Sequence, residues 1–219
     1  MRTHEYEPVP GLPEELPEGE EVLWQGKPAW WSLTKRALHV RIVAGYFTIV
    51  AAYLATTGLL SGAGVATASG QAFGQLLIGA LAVGLLSAIG RWMAQTTLYT
   101  ITNRRVVMRI GAALPMTINL PYARLEAANL AQHKDGTCDI SLRLFEHDRV
   151  SFFLFWPHIR PWRLRHPEPT LRSVAEGDEA ARVLAQALED TRKAEQEATQ
   201  AERAQPEQSA AADYATSTS

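Results

Sequence analysis

Between Ile42 and Gly90 the chain carries no Asp, Glu, Lys, Arg or His. Arg41 closes this run on one side and Arg91 on the other. About 20 consecutive apolar residues suffice to cross a bilayer, and a buried hairpin of a soluble domain would be expected to carry charge over such a length. Ser61-Gly62-Ala63-Gly64 and Ala68-Ser69-Gly70-Gln71 make a weak break near the middle. The stretch therefore reads as two transmembrane helices, roughly 42–61 and 72–91, joined by a short uncharged loop. With no ionisable residue inside either span, a proton relay, ion path or transporter is disfavoured.

Other absences narrow the chemistry. There is one cysteine, Cys138, so no internal disulfide can form. It stands in an alternating segment with no obvious base nearby, where a packing role is expected. Histidines 133, 147, 158 and 166 lack metal-ligand spacing, and no CxxC accompanies them. No glycine-rich phosphate loop sits between a strand and a helix. No nucleophile–base pair is visible, so neither an enzyme nor a metal site is expected. The net charge of −2 gives no pointer to nucleic acid. The first 35 residues contain no apolar h-region, so insertion is expected to use the hairpin itself.

The placement of charge is more informative. Lys27, Lys35, Arg36 and Arg41 precede the hairpin, with no acid among residues 22–41. Arg91, Arg104, Arg105, Arg109 and Arg124 follow it, and the first acid is Glu126. Basic flanks mark the cytoplasmic side, so both termini are expected there. Trp30, Trp31 and Trp92 fit an aromatic belt at the same interface. With Arg41, Arg91, Arg104 and Arg105 they form the expected membrane-interface set, attracted to anionic headgroups. Within the spans, Ala80, Gly84 and Ala88 recur every four residues, as do Ala44, Thr48 and Ala52. Small residues let helix backbones approach closely. These faces either pack the hairpin on itself or meet another transmembrane helix, and they allow a homodimer without requiring one.

Outside the hairpin, residues 1–20 form an acidic, proline-rich arm, either solvated or docked on a partner. Residues 21–41 hold a short strand ending at Gly26 and a juxtamembrane segment. From 96 to 192 the pattern changes to short alternating segments, with Asn103-Arg104 and Asp135-Gly136 as turns. A helix follows from near Asp178, with Ala180, Val183, Leu184, Ala187 and Leu188 on one face. Val22-Leu23-Trp24 is a candidate to add the first strand across the hairpin. The expected fold is a small mostly-β barrel, or paired sheets, capped by a C-terminal helix and anchored by the membrane hairpin. Residues 193–219 read as a helix extension with a disordered tail. Trp156, Arg160, Trp162 and Arg163 sit with His158 in a proline-stiffened segment, and Arg172 follows. Trp and Arg in such a setting have the composition of an interface hot spot, so these six are the expected partner-binding residues.

Tyr99-Thr-Ile-Thr-Asn-Arg-Arg-Val-Val-Met-Arg-Ile-Gly111 resembles the first hairpin of bacterial pleckstrin-homology-like domains. A longer resemblance covers Glu7-Pro-Val-Pro-Gly-Leu-Pro13, Pro17-Glu-Gly-Glu20, Leu23-Trp-Gln-Gly-Lys-Pro28, Trp156-Pro-His-Ile-Arg-Pro-Trp162 and Pro169-Thr-Leu-Arg172. These motifs look like those of PuhB-type photosynthetic complex assembly proteins of purple bacteria. The resemblance implies a pleckstrin-homology-like barrel and a non-enzymatic scaffold or chaperone in the inner or intracytoplasmic membrane. Its implied partners are reaction-centre subunits and light-harvesting antenna polypeptides, with membrane lipid as the surroundings. No cofactor is implied. A transient bacteriochlorophyll contact stays open, with His39, beside Arg41 and outside the apolar core, or the Trp residues as the side chains that would make it. The competing expectation is a generic membrane-tethered module binding anionic lipid or peptide.

Overall fold

A computed structural model describes residues 16–111, 116–145, 158–159 and 168–216, with side chains to residue 200. The chain opens with strand β1 (Val22–Gly26) and a short helix α1 (Trp30–Ala37). Two long helices follow, α2 (Val40–Leu60) and α3 (Val65–Thr96). Strands β2 (Leu98–Thr102), β3 (Arg105–Ile110), β4 (Met116–Pro121), β5 (Leu125–Gln132), β6 (Cys138–Leu144) and β7 (Thr170–Val174) come next. Helix α4 (Gly177–Thr216) ends the described chain.

Both long helices are long and apolar enough to cross a membrane. At 1.5 Å per residue, α2 is about 32 Å long and α3 about 48 Å. Most of their large apolar side chains, such as Ile49, Tyr53, Leu81 and Leu85, face outward. That arrangement does not fit a hairpin buried in a soluble core. The loop is shorter than expected: only residues 61–64 are non-helical, and Ala68 to Gln71 lie in α3. Ala68 is helical because it packs on α2, where a Cβ added to Gly58 would come within 3.0 Å of its own Cβ. Lower down, a Cβ on Gly79 would reach within 2.6 Å of Phe47. These contacts fix the seam. Carried along the same register, Arg41 lies level with Leu85, so the rest of α3 runs on past the start of α2.

The strands form a four-stranded antiparallel sheet, β1-β2-β3-β4, and a three-stranded one, β5-β6-β7. β1 pairs with β2 across the hairpin, with Trp24 opposite Ile101 and Gly26 opposite Tyr99. The Trp24 ring lies over Gly26, where a Cβ would collide with it. Asp135-Gly136 makes the β5–β6 turn, with Gly136 at φ +77°. The expected barrel is not closed. Pro121 and a 3-10 turn at Tyr122–Arg124 separate β4 from β5, and an isolated antiparallel bridge links Pro28, just beyond β1, to Val174 of β7. The described strands are two facing sheets around one core of Trp24, Tyr99, Met108, Leu142, Leu171 and Leu184. The apolar face of α4 closes it through Ala180, Leu184, Ala187 and Leu188. Beyond that α4 continues as helix to Thr216, in keeping with the high helix propensity of Ala, Glu and Gln.

Candidate functional site

The features that could meet a partner cluster where the sheets join the long helices. α1 is the joint. On one side Leu33 and Ala37 pack on Ala94 and Met93 of α3. Thr34 sits against Gly90 so closely that a Cβ there would collide with its hydroxyl. On the other side α1 grips the β5–β6 turn. The Asp135 carboxylate accepts from Arg36 Nη2 at 2.8 Å, Lys35 Nζ at 3.1 Å and Ser32 Oγ at 3.1 Å. Thr137 Oγ1 adds a further bond at 2.8 Å. The Arg36 hydrogen bond leads in holding the Asp135 carboxyl far below the usual carboxylate range, with Thr137, Lys35 and Ser32 adding to it against the opposing effect of desolvation. The Ala29 N–H also donates to the Ser173 carbonyl of β7 at 2.7 Å. α1 thus joins one sheet to the base of α3.

The outward residues of this joint carry much of the expected interface set. Trp30 and Trp31 have ring centroids 5.4 Å apart, and the Arg91 guanidinium lies 5.7 Å from the Trp30 ring. Trp30, Trp31 and Trp92 are 40%, 47% and 52% exposed, a high exposure for tryptophan that marks a surface needing cover. Arg41 and Arg91 are exposed beside them. Lys35 and Arg36, by contrast, spend their charge on Asp135.

Arg104 and Arg105 do not join that collar. The β2–β3 turn places them at the far end of β2, about 15–20 Å along the strand from the end of α3. Arg105 is paired there with Glu20, Nε to Oε1 at 2.8 Å and Nη2 to Oε2 at 3.0 Å. Thr102 Oγ1 donates to the same carboxylate at 2.8 Å, and Glu20 is buried.

The expected docking set divides. Trp156, Arg160, Trp162 and Arg163 lie outside the described residues. His158 and Arg172 are interior, not surface, side chains. β7 carries Arg172 into the core because all five of its residues are buried. That uniform burial leaves no alternating pattern, so the strand was not legible. The Arg172 N–H donates to the Tyr99 oxygen at 3.2 Å, and the Tyr99 O–H donates to His158 Nδ1 at 2.6 Å. His158 Nε2 then carries the proton and faces Thr97 Oγ1 at 3.3 Å, a tautomer assigned from this network. Thr97 donates in turn to the Met93 carbonyl of α3 at 2.8 Å. Burial, reinforced by Arg172, depresses the His158 pKa to about 3 and keeps it neutral. Burial also pushes Tyr99 well up. The Arg172 guanidinium lies 3.9 Å from Asp139, whose other oxygen accepts the Ser173 N–H at 2.7 Å. Ser173 adopts φ +54°, a left-handed conformation unusual for a side-chain-bearing residue. His158 is thus tied through Thr97 to the foot of α3, and through Tyr99 to the β7 backbone at Arg172.

Ala80, Gly84 and Ala88 all point outward, and a Cβ on Gly84 would meet nothing within 4 Å. Ala44, Thr48 and Ala52 are outward on α2 as well. The seam uses Phe47, Gly58, Ala68 and Gly79 instead. Among the described residues no group of three or more His, Cys, Asp or Glu could hold a metal. Cys138 is buried against Gly177, and burial pushes its thiol pKa up. His39 stands exposed at the α1–α2 junction, in a left-handed conformation. Sequence reasoning missed the Asp135 and Glu20 anchors. The Asp-Gly turn was visible, but which cations its carboxylate would meet depends on a contact about a hundred residues away in sequence.

A protein of Rhodobacter capsulatus described as an uncharacterized 23.7 kDa protein in the puhA 5' region is 38% identical over 195 residues, covering 86% of this chain and 90% of the relative. No solved structure matches. The family model for the bacterial PH domain matches residues 40–188, from the first residue of α2 to Leu188 on the buried face of α4. The chain belongs to the bacterial PH domain family.

Proposed function

We propose that this protein is a non-enzymatic membrane-anchored assembly factor for the bacterial photosynthetic reaction centre, with its light-harvesting antenna as a further client. The observation that carries the reading is the relative in the photosynthesis puhA gene region, which aligns over nine-tenths of its own length. The geometry supplies a physical route. Two helices with unoccupied small-residue faces offer close backbone approach to a client's membrane helices. The α1 joint holds the sheets at the foot of the hairpin, beside whatever those helices meet. Basic flanks on both sides of an uncharged loop support cytoplasmic termini in the inner or intracytoplasmic membrane. His158 and Arg172 act in this reading as interior braces, and Trp156, Arg160, Trp162 and Arg163 supply the contact residues. No resident cofactor is required.

Full-length tagged protein, purified from its native membranes in mild detergent, tests the reading. Reaction-centre or antenna subunits with bacteriochlorophyll bands are the expected co-purifying material. A second reading, a membrane-tethered module for anionic lipid, draws on the exposed Trp30, Trp31, Arg91 and Trp92 collar. A colourless preparation carrying only anionic lipid favours that reading and counts against the first.

A further inference from the structure

A groove runs between β1, the β2–β3 turn and α4, lined by Leu23, Arg104, Val183, Gln186, Ala187 and Asp190. Leu23 is 43% exposed in it, although it belongs to a strand of the core sheet. We propose that residues 1–15 of this same chain fold back over β1 and occupy this groove.

The point at which the arm joins the sheet gives the direction. The Glu20 N–H donates to the Pro17 carbonyl at 2.9 Å, closing a four-residue turn with Gly19 at φ +75°. A turn of that kind reverses the chain, so residues before Pro17 run back antiparallel to β1. One edge of β1 is taken by β2, and the groove lies on the α4 side. The turn is pinned at the groove's rim. Asn103 Nδ2 donates to the Gly19 carbonyl at 2.9 Å, the Glu21 N–H donates to Asn103 Oδ1 at 3.1 Å, and Arg105 holds Glu20.

Length and charge agree with this path. From Val183 to Ala194 the α4 wall is about 16 Å long. Five extended residues, from Leu12 to the turn, span a similar distance. On this path Glu14 and Glu15 come next to the turn, where Gly19 lies close to the Arg104 guanidinium. Asp190 then faces the stretch from Pro8 to Pro13, which carries no charge, and Val9 and Leu12 supply apolar side chains for Leu23, Val183 and Ala187. Pro8, Pro10 and Pro13 favour an extended conformation before docking, which lowers the entropy lost on binding.

The test uses the full chain in detergent with paired cysteines, Leu12→Cys with Gln186→Cys on the groove, and Leu12→Cys with Ala185→Cys. Ala185 is exposed on α4 beside β5 rather than in this groove. Under mild copper-phenanthroline oxidation the 12–186 pair forms an intramolecular disulfide at least several-fold faster than the 12–185 pair. Arg104→Glu slows that rate by about two- to five-fold, the range of an exposed ion pair, and Glu14→Lys with Glu15→Lys restores it. Equal rates for the two pairs, a disulfide-linked dimer as the main product, or no response to Arg104→Glu overturns the proposal.

Discussion

Asp135→Asn should loosen the joint between the sheets and the α2–α3 hairpin without unfolding either. The substitution keeps the size of the side chain and removes the charge that Lys35 and Arg36 share. Two ion pairs, at 3.1 and 2.8 Å, weaken together. Exposed pairs contribute about 0.2–1 kcal/mol each, and the Arg36 bond is also tied to Thr137. The Asp135 side chain is 28% exposed, so water screens part of the effect, and about 1–2 kcal/mol of local docking is the expected loss. That corresponds to roughly a five- to thirty-fold rise in local opening. Hydrogen–deuterium exchange of the full chain in nanodiscs reads it directly. The amides of α1 and of residues 133–137 should exchange faster by that factor, while β2, β3 and the middle of α3 stay unchanged. The pH dependence has a definite sign. The folded carboxyl titrates below its unfolded value, so the stabilisation is fully present above about pH 4 and is lost only as pH falls below that. Wild-type protein at pH 3 should therefore begin to resemble Asp135→Asn at pH 7. Unchanged exchange in α1 would refute the view that this carboxylate joins the two parts.

Three further outcomes follow from the same geometry. Gly79→Leu should disrupt the hairpin by driving a side chain into Phe47, whereas Gly84→Leu should leave the melting of the purified protein within about 0.5 kcal/mol of wild type and lower reaction-centre yield; equal thermal effects would remove the distinction between seam and outer face. Arg105→Ala leaves the buried Glu20 carboxylate with Thr102 as its remaining recorded side-chain partner and should cost roughly 2–3 kcal/mol, seen by thermal melting, with Glu20→Gln milder. His158, buried neutral with a pKa near 3, makes the folded state resist protonation, so stability is complete above about pH 6.5 and falls by roughly 2 kcal/mol at pH 5; His158→Gln should flatten that slope in a pH series of melting curves.

Local patterns were legible from the sequence and distant pairings were not. The uncharged run, the Asp135-Gly136 turn and the alternation of Ile140, Leu142 and Leu144 each encode their element within a few residues. The β1 strand was legible because Val22-Leu23-Trp24 stops at Gly26, a position that only the smallest residue can fill beneath the Trp24 ring. β7 has no period-2 signal, since Arg172 and Ser173 are buried along with Leu171. The same limit applied to function. Arg104, Arg105 and Arg109 look equivalent as a basic cluster, but strand direction sends the first two away from the end of α3, and Glu20 takes up one of them. Ala80, Gly84 and Ala88 share one outward face. Helix pairing decides which face is inward, and that depends on Phe47 and Ala68.

The pairing of β1 with β2 ties folding to the route by which the chain is made. Val22–Gly26 leaves the ribosome early, but its ladder partner Leu98–Thr102 follows only after both apolar helices. The first strand must wait, unpaired, until the whole hairpin has been synthesised. It can then find its partner only if α2 and α3, each long and apolar enough to cross a membrane, bring both ends of the hairpin to one side. A chain that threads one helix and fails to thread the other leaves Trp24 with no Ile101 to cover. The core then has no complete sheet. The four-stranded sheet is thus completed only when α2 and α3 return the chain to the side on which β1 waits.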